Sequence, residues 1–140
     1  MTLELIRVRR TEEHVAALYE LLKARVHSIS HRDLPDYAAH RAFVLKHPYR
    51  VWYLLRDGGR LVGTLYILSS NFIGISTLPG EEGQVAAALD QATARHRPLP
   101  AIPSVRAGHY GINVAPGNAV LIAELEKYGA RLAQVTYALP

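Results

Sequence analysis

The run Arg50-Val51-Trp52-Tyr53-Leu54-Leu55-Arg56, the triplet Asp57-Gly58-Gly59 and the run Arg60-Leu61-Val62-Gly63-Thr64-Leu65-Tyr66-Ile67-Leu68 stand back to back near the middle of the chain. Two β-rich segments on either side of a glycine turn predict an antiparallel hairpin. Asn71 to Thr77 reads as a further strand, broken by Gly74. Upstream, Thr2 to Arg9 alternates apolar and polar residues as a first strand would. Thr11 then caps a helix whose first turn holds Glu12 and Glu13, where the helix dipole favours negative charge. Val15, Leu18, Leu22 and Val26 follow along its apolar stripe. Residues 28–35 read as a loop, and a second helix is expected from Asp36 to His47, stopping before Pro48.

Downstream, Leu78 to Gly83 is turn-rich, and Gln84 to Arg95 is an alanine-rich helix with Val85, Leu89 and Ala92 on one face. Arg97 to Ala107 holds three prolines and reads as a connection. Gly108 to Val114 is expected to be a strand, Asn118 caps a helix to about Tyr128, Gly129 ends it, and Arg131 to Leu139 is expected to form a last strand. The order β-α-α-β-β-β-α-β-α-β describes an α/β (α+β) domain spanning residues 1–140, with no repeat and no linker.

The chain has 140 residues, 49% of them hydrophobic, enough for one core without staples. Zero cysteines exclude disulfides, thiolate metal sites and an acyl-cysteine intermediate. No leader and no membrane-spanning run is read, so a cytoplasmic protein with no membrane partner is expected. The net charge is +4, and thirteen of the sixteen basic residues are arginine. Guanidinium groups suit phosphates and carboxylates, although an arginine-favouring genome explains the same count. The clusters Arg7-Arg9-Arg10 and Arg95-His96-Arg97 are too sparse for a nucleic-acid surface, and no nucleic-acid partner is expected.

His27 and His31, and His40 and His47, are spaced to share helix faces, but three or four converging ligands with carboxylate support are missing from the pattern, so no metal is expected. The sequence has no G-x-S-x-G elbow, Walker loop or G-x-G-x-x-G. Gly80-Glu81-Glu82-Gly83 ahead of a small-residue helix brings backbone N–H groups to a helix N-terminus, an arrangement suited to phosphate; glycines kept for turn geometry would look alike.

Asn113-Val114-Ala115-Pro116-Gly117-Asn118, followed eleven residues after Asn118 by Gly129 in Leu125-Glu126-Lys127-Tyr128-Gly129-Ala130, resembles the signature of the GNAT family of N-acetyltransferases. The resemblance implies a mixed, mostly antiparallel central sheet flanked by about four helices, and acetyl-CoA as co-substrate. It implies that the strands before the glycine loop and before the last helix splay apart to admit the pantetheine arm. Ile73, Ile75, Ser76, Thr77 and Leu78 would then line the arm. Gly80, Glu81, Glu82, Gly83, Gln84 and Val85 would form the pyrophosphate loop, with Asn118 near the pantetheine and Arg95 or Arg97 facing a coenzyme phosphate.

The chain differs from the family pattern at three places. Of Q/R-x-x-G-x-G/A only the central glycine, Gly83, is kept; Leu125 stands where many members have a tyrosine acid; and one strand rather than two is expected after Gly129. The acceptor site is then open, or completed by a second copy in a homodimer. Ile29 to His31, His40 to Val44, His47 to Tyr53 and Asn71 to Ile75 resemble members that acetylate nucleotide-linked amino sugars, though Phe43, Trp52 and Tyr53 also suit a core. The implied reaction is direct attack of a small-molecule primary amine on the bound thioester. His31 and His109 are the candidate bases, and Tyr128 and Tyr110 the candidate acids. A fold of this kind that binds a ligand or partner without turnover is the alternative.

Overall fold

The computed structural model describes residues 2–25 and 33–140. Strand β1 (Leu3–Arg7) leads into α1 (Glu12–Lys23), α2 (Tyr37–Lys46), β2 (Val51–Asp57), β3 (Arg60–Ile67), β4 (Phe72–Thr77), α3 (Val85–Arg95), β5 (Gly111–Ile112) and α4 (Ala119–Tyr128). The starts of α1, α2 and α4 are set by short polar side chains that satisfy otherwise orphaned N–H groups. Thr11 Oγ1 accepts from His14 N (3.3 Å), Asp36 Oδ1 from Ala39 N (2.7 Å) and Asn118 Oδ1 from Leu121 N (3.3 Å). Gly129, at φ +103°, ends α4 in the left-handed conformation, and Ala130 N–H closes back onto Leu125 O at 2.9 Å.

The hairpin forms as expected: β2 and β3 pair antiparallel around Gly58 and Gly59, at φ +58° and +83°, a turn open to glycine pairs. The five strands follow chain order, β1-β2-β3-β4-β5, antiparallel except for the parallel β4–β5 pair. Alternate side chains along β2 go to opposite faces. Val51, Tyr53 and Leu55 join Leu65, Ile73, Val85, Leu89, Leu121 and Leu125 in one core layer, under α3 and α4. Trp52 and Leu54 join Val15, Leu18 and Val44 in the other, under α1 and α2. Each fully buried Val or Leu contributes about 1.5–3 kcal/mol. His40 belongs to this second layer as a satisfied core group, its Nε2 2.9 Å from Val15 O.

Four expectations are corrected. Gly74 does not break β4; it lies beneath the Tyr66 ring, where any Cβ would collide with the ring carbons. Of the strand expected over 108–114 only Gly111–Ile112 forms, because β4 and the following chain stay together for two rungs and then part. The helix expected from Gln84 starts at Val85, after a 3-10 turn over Glu82–Gln84. The final strand of the expected order is absent: residues 131–139 are irregular, with Leu132, Val135, Tyr137 and Leu139 exposed. An alternating segment becomes a strand only against a partner edge, and a two-residue β5 is too short to supply one. No helix among the described residues is long and apolar enough to cross a membrane.

Candidate active site

The parting of β4 from β5 makes the site. Phe72 pairs with Gly111 and Ile73 with Ile112, and the ladder then ends. Within β4, Phe72 O and Leu78 N–H bond to the β3 side, through Leu68 N and Val62 O, each at 2.8 Å. Main-chain groups alternate sides along an antiparallel strand, so Ile75 and Thr77 aim their N–H and C=O groups into the gap left by β5. A cleft of about 320 Å³ occupies this gap. Its walls are Ile75, Ser76 and Thr77 of β4, Pro79, Gly80 and Glu82 of the turn, Val85 at the start of α3, and Asn113, Val114 and Ala115 after β5. Asn118, Val120 and Leu121 at the start of α4 and Arg25 beyond the end of α1 complete it. Two helix N-termini thus open on one cleft, which favours a bound anion.

Of the residues expected to hold a coenzyme, the cleft brings together Ile75, Ser76, Thr77, Gly80, Glu82, Val85 and Asn118. Leu78 and Gly83 lie outside its lining, and Ile73 is buried in the core. Glu81 is ion-paired with Arg60, and that pairing holds its carboxyl below the usual range. Gln84 is buried and donates from Nε2 to Asp57 Oδ2 at 2.9 Å. Arg95 lies 5.7 Å from the centre of the Tyr53 ring, and Arg97 lies beyond the end of α3, about 15 Å along the helix from Val85.

Of the candidate acids and bases, Tyr128, Tyr110 and His109 are not among the residues that line the cleft. Tyr128, at the far end of α4 from Asn118, donates to Asp90 Oδ1 at 2.7 Å, and that bond raises its pKa. Tyr110 donates to His96 O at 2.7 Å, while His109 is exposed. His31 lies outside the described residues.

Residues missed by the sequence reading include Arg25 and Tyr66, whereas Tyr49 falls in the run likened to amino-sugar acetyltransferases. Tyr49 and Tyr66 stack at 4.0 Å with their planes 5° apart, and burial pushes the Tyr49 hydroxyl pKa up. Arg25 is spaced with Leu18 and Leu22 on the apolar stripe of α1, so a charge in an apolar position was the available signal. Its Nε is buried without a hydrogen-bond partner.

A five-stranded sheet with parted β4 and β5, two helices on each face and a cleft at the parting defines the GNAT fold. Solved structures share it. An aminoglycoside acetyltransferase from an uncultured soil metagenomic sample aligns over 100% of this chain and 99% of its own, at 20% identity and TM-score 0.57. The aminoglycoside acetyltransferase AAC(6')-Ib, solved with coenzyme A, aligns over 96% and 88% at 18% identity and TM-score 0.64. AAC(6')-Iy, solved with the bisubstrate analogue CoA-S-monomethyl-acetylneamine, aligns over 100% and 99% at 12% identity and TM-score 0.63. No family model and no curated protein matches the chain by sequence. At these identities the likeness is one of fold.

Proposed function

We propose that the chain is an acetyl-CoA-dependent N-acetyltransferase acting on the primary amine of a small molecule. The observation that carries the reading is the parting of β4 and β5 beside two helix N-termini, in a fold shared with structures that hold coenzyme A. The pantetheine arm would lie along Ile75 and Thr77, whose main chain faces the gap. The pyrophosphate would lie near Gly80 and the start of α3. A neutral amine attacks the thioester carbonyl, the tetrahedral oxyanion collapses with cleavage of the C–S bond, and an amide forms. The proton lost by the amine balances the leaving thiolate, delivered through water. An N–H of Ile75 or Thr77 would stabilise the oxyanion.

The acceptor we favour is a nucleotide-linked amino sugar. Its support is the cluster of Phe43, His47, Tyr49 and Trp52, in which the partly exposed Phe43 ring is 5.6 Å from that of Tyr49. A single folded domain and a homodimer belong to the same proposal.

Thermal unfolding during titration with acetyl-CoA tests the reading. Stabilisation reaches about 2.7 kcal/mol at a hundredfold excess over Kd, so micromolar binding gives a clear rise in Tm. An unchanged Tm at millimolar coenzyme would overturn it. One observation favours the second reading, a GNAT-fold binding domain without turnover: Glu82 Oε1 accepts from Gly80 N–H at 3.0 Å, taking a donor that a phosphate would use. Release of coenzyme thiol with an amine acceptor separates the two readings.

A further inference from the structure

We propose that Arg25 selects acceptors that carry an anionic group, a carboxylate or a phosphate, next to the reacting amine; this rests on the acetyl-transfer reading. Arg25 follows the last turn of α1, its N–H bonded to Leu22 O at 3.2 Å, and its half-buried side chain lines the cleft. Its Nε is buried without a hydrogen-bond partner, and no described carboxylate forms an ion pair with it. A buried guanidinium N–H left without an acceptor is costly until an anion meets it.

The position of this charge decides which substrate it meets. Val85 and Leu121 line the cleft from the core layer under α3 and α4, the side on which the two helix N-termini open. Arg25 comes from the other side of the sheet. It lies close enough to Tyr49 for its charge to act on that hydroxyl, and Tyr49 stacks on Tyr66, whose ring crosses Gly74 of β4. A coenzyme bound at the helix N-termini therefore leaves Arg25 facing the acceptor. The one carboxylate among the described lining residues is Glu82, on the turn before α3 and engaged with Gly80 N–H. A polycationic amine such as neamine would meet a guanidinium on the acceptor side, whereas a phosphate or carboxylate would satisfy the guanidinium with charge-assisted hydrogen bonds.

The test combines coenzyme A binding by calorimetry with thiol release from acetyl-CoA, using O-phosphoethanolamine, β-alanine, ethanolamine and neamine as acceptors. The expected result is a kcat/KM for O-phosphoethanolamine or β-alanine about tenfold or more above that for ethanolamine, with neamine poorest. The ratio between the two anionic amines then tells phosphate from carboxylate. Arg25→Gln should abolish the preference through KM, Arg25→Lys should restore part of it, and both should keep coenzyme A affinity within about twofold. Equal or better use of ethanolamine or neamine would overturn the inference, as would no turnover of either anionic amine by protein that binds coenzyme A. An Arg25→Gln variant that keeps the preference but loses coenzyme A affinity would assign the guanidinium to a coenzyme phosphate instead. Absence of coenzyme A binding in the unaltered chain would sink the acetyl-transfer reading itself.

Discussion

Glu82 places a negative charge where the proposed pyrophosphate needs donors, and its carboxylate already holds Gly80 N–H. A unit charge about 6 Å from a phosphate in water-like surroundings costs about 0.7 kcal/mol. Glu82→Gln should therefore tighten coenzyme A binding by about threefold, read by calorimetry at low salt, and the gain should shrink as salt rises. Weaker binding by the variant would show that Glu82 supports the loop more than it repels the ligand. For Tyr128 we propose a structural role. Its hydroxyl, at the end of α4 opposite Asn118, is spent on Asp90 of α3, so Tyr128→Phe should leave kcat within about twofold and lower Tm by less than about 4 °C. A tenfold loss of kcat at unchanged coenzyme affinity would restore it as the acid. The difference between these residues explains what was legible. Asn118 and Gly129 are capping residues whose chemistry is local, so their spacing alone located α4. Tyr128 was weighed by proximity along one helix, but its partner is on α3, thirty-eight residues away in sequence.

One link between elements is pH-sensitive. Tyr53 of β2 and His96, just past α3, meet through their hydroxyl and Nε2 at 2.7 Å, and Tyr110, just before β5, donates to His96 O. Burial, then the charges of Arg50, Arg7 and Arg95, hold the His96 pKa below its ordinary 6.5. The folded state therefore binds this proton less readily than the unfolded chain. Its contribution to stability is complete above pH 6.5 and is lost as pH falls below that value towards the folded pKa. His47, lowered by burial and by Arg10, acts in the same direction. Thermal unfolding from pH 7.5 to pH 5 should show a falling Tm, and His96→Gln should flatten the profile; an equal slope in both proteins would remove His96 from the link.

Elements were readable wherever the determining contacts were local. The hairpin rests on Gly58-Gly59 between two β-rich runs, and α1 and α2 rest on Thr11 and Asp36. Two elements depended on partners the sequence pattern does not specify. Gly108 to Val114 had the composition of a strand but keeps company with β4 for two rungs, and that early parting is what opens the cleft. Arg131 to Leu139 had the alternation of a strand and pairs with no edge. The cleft itself was legible only through resemblance, because it is made of main-chain groups and helix ends rather than of a side-chain motif.

At the scale of the whole molecule, that tail sets a sharp test. Leu132, Val135, Tyr137 and Leu139 are 64–87% exposed, a run of large apolar groups that folded chains seldom leave in water unless something covers them. The tail's link to the fold is Ala130 N–H on Leu125 O, which a chain ending at Arg131 keeps. Residues 132–140 are exposed throughout, so deleting them removes little buried surface or hydrogen bonding. The shortened chain should unfold within about 2 °C of the full one and should bind coenzyme A with unchanged affinity, since no residue beyond Leu121 lines the cleft. Thermal unfolding at two protein concentrations, with sedimentation alongside, checks this. A Tm that falls on deletion, and in the full chain rises with protein concentration, would place the tail against a second copy and make assembly part of stability. An unchanged Tm with a lost tendency to aggregate would mean that the apolar alternation, although strand-like, contributes only a liability to the isolated chain.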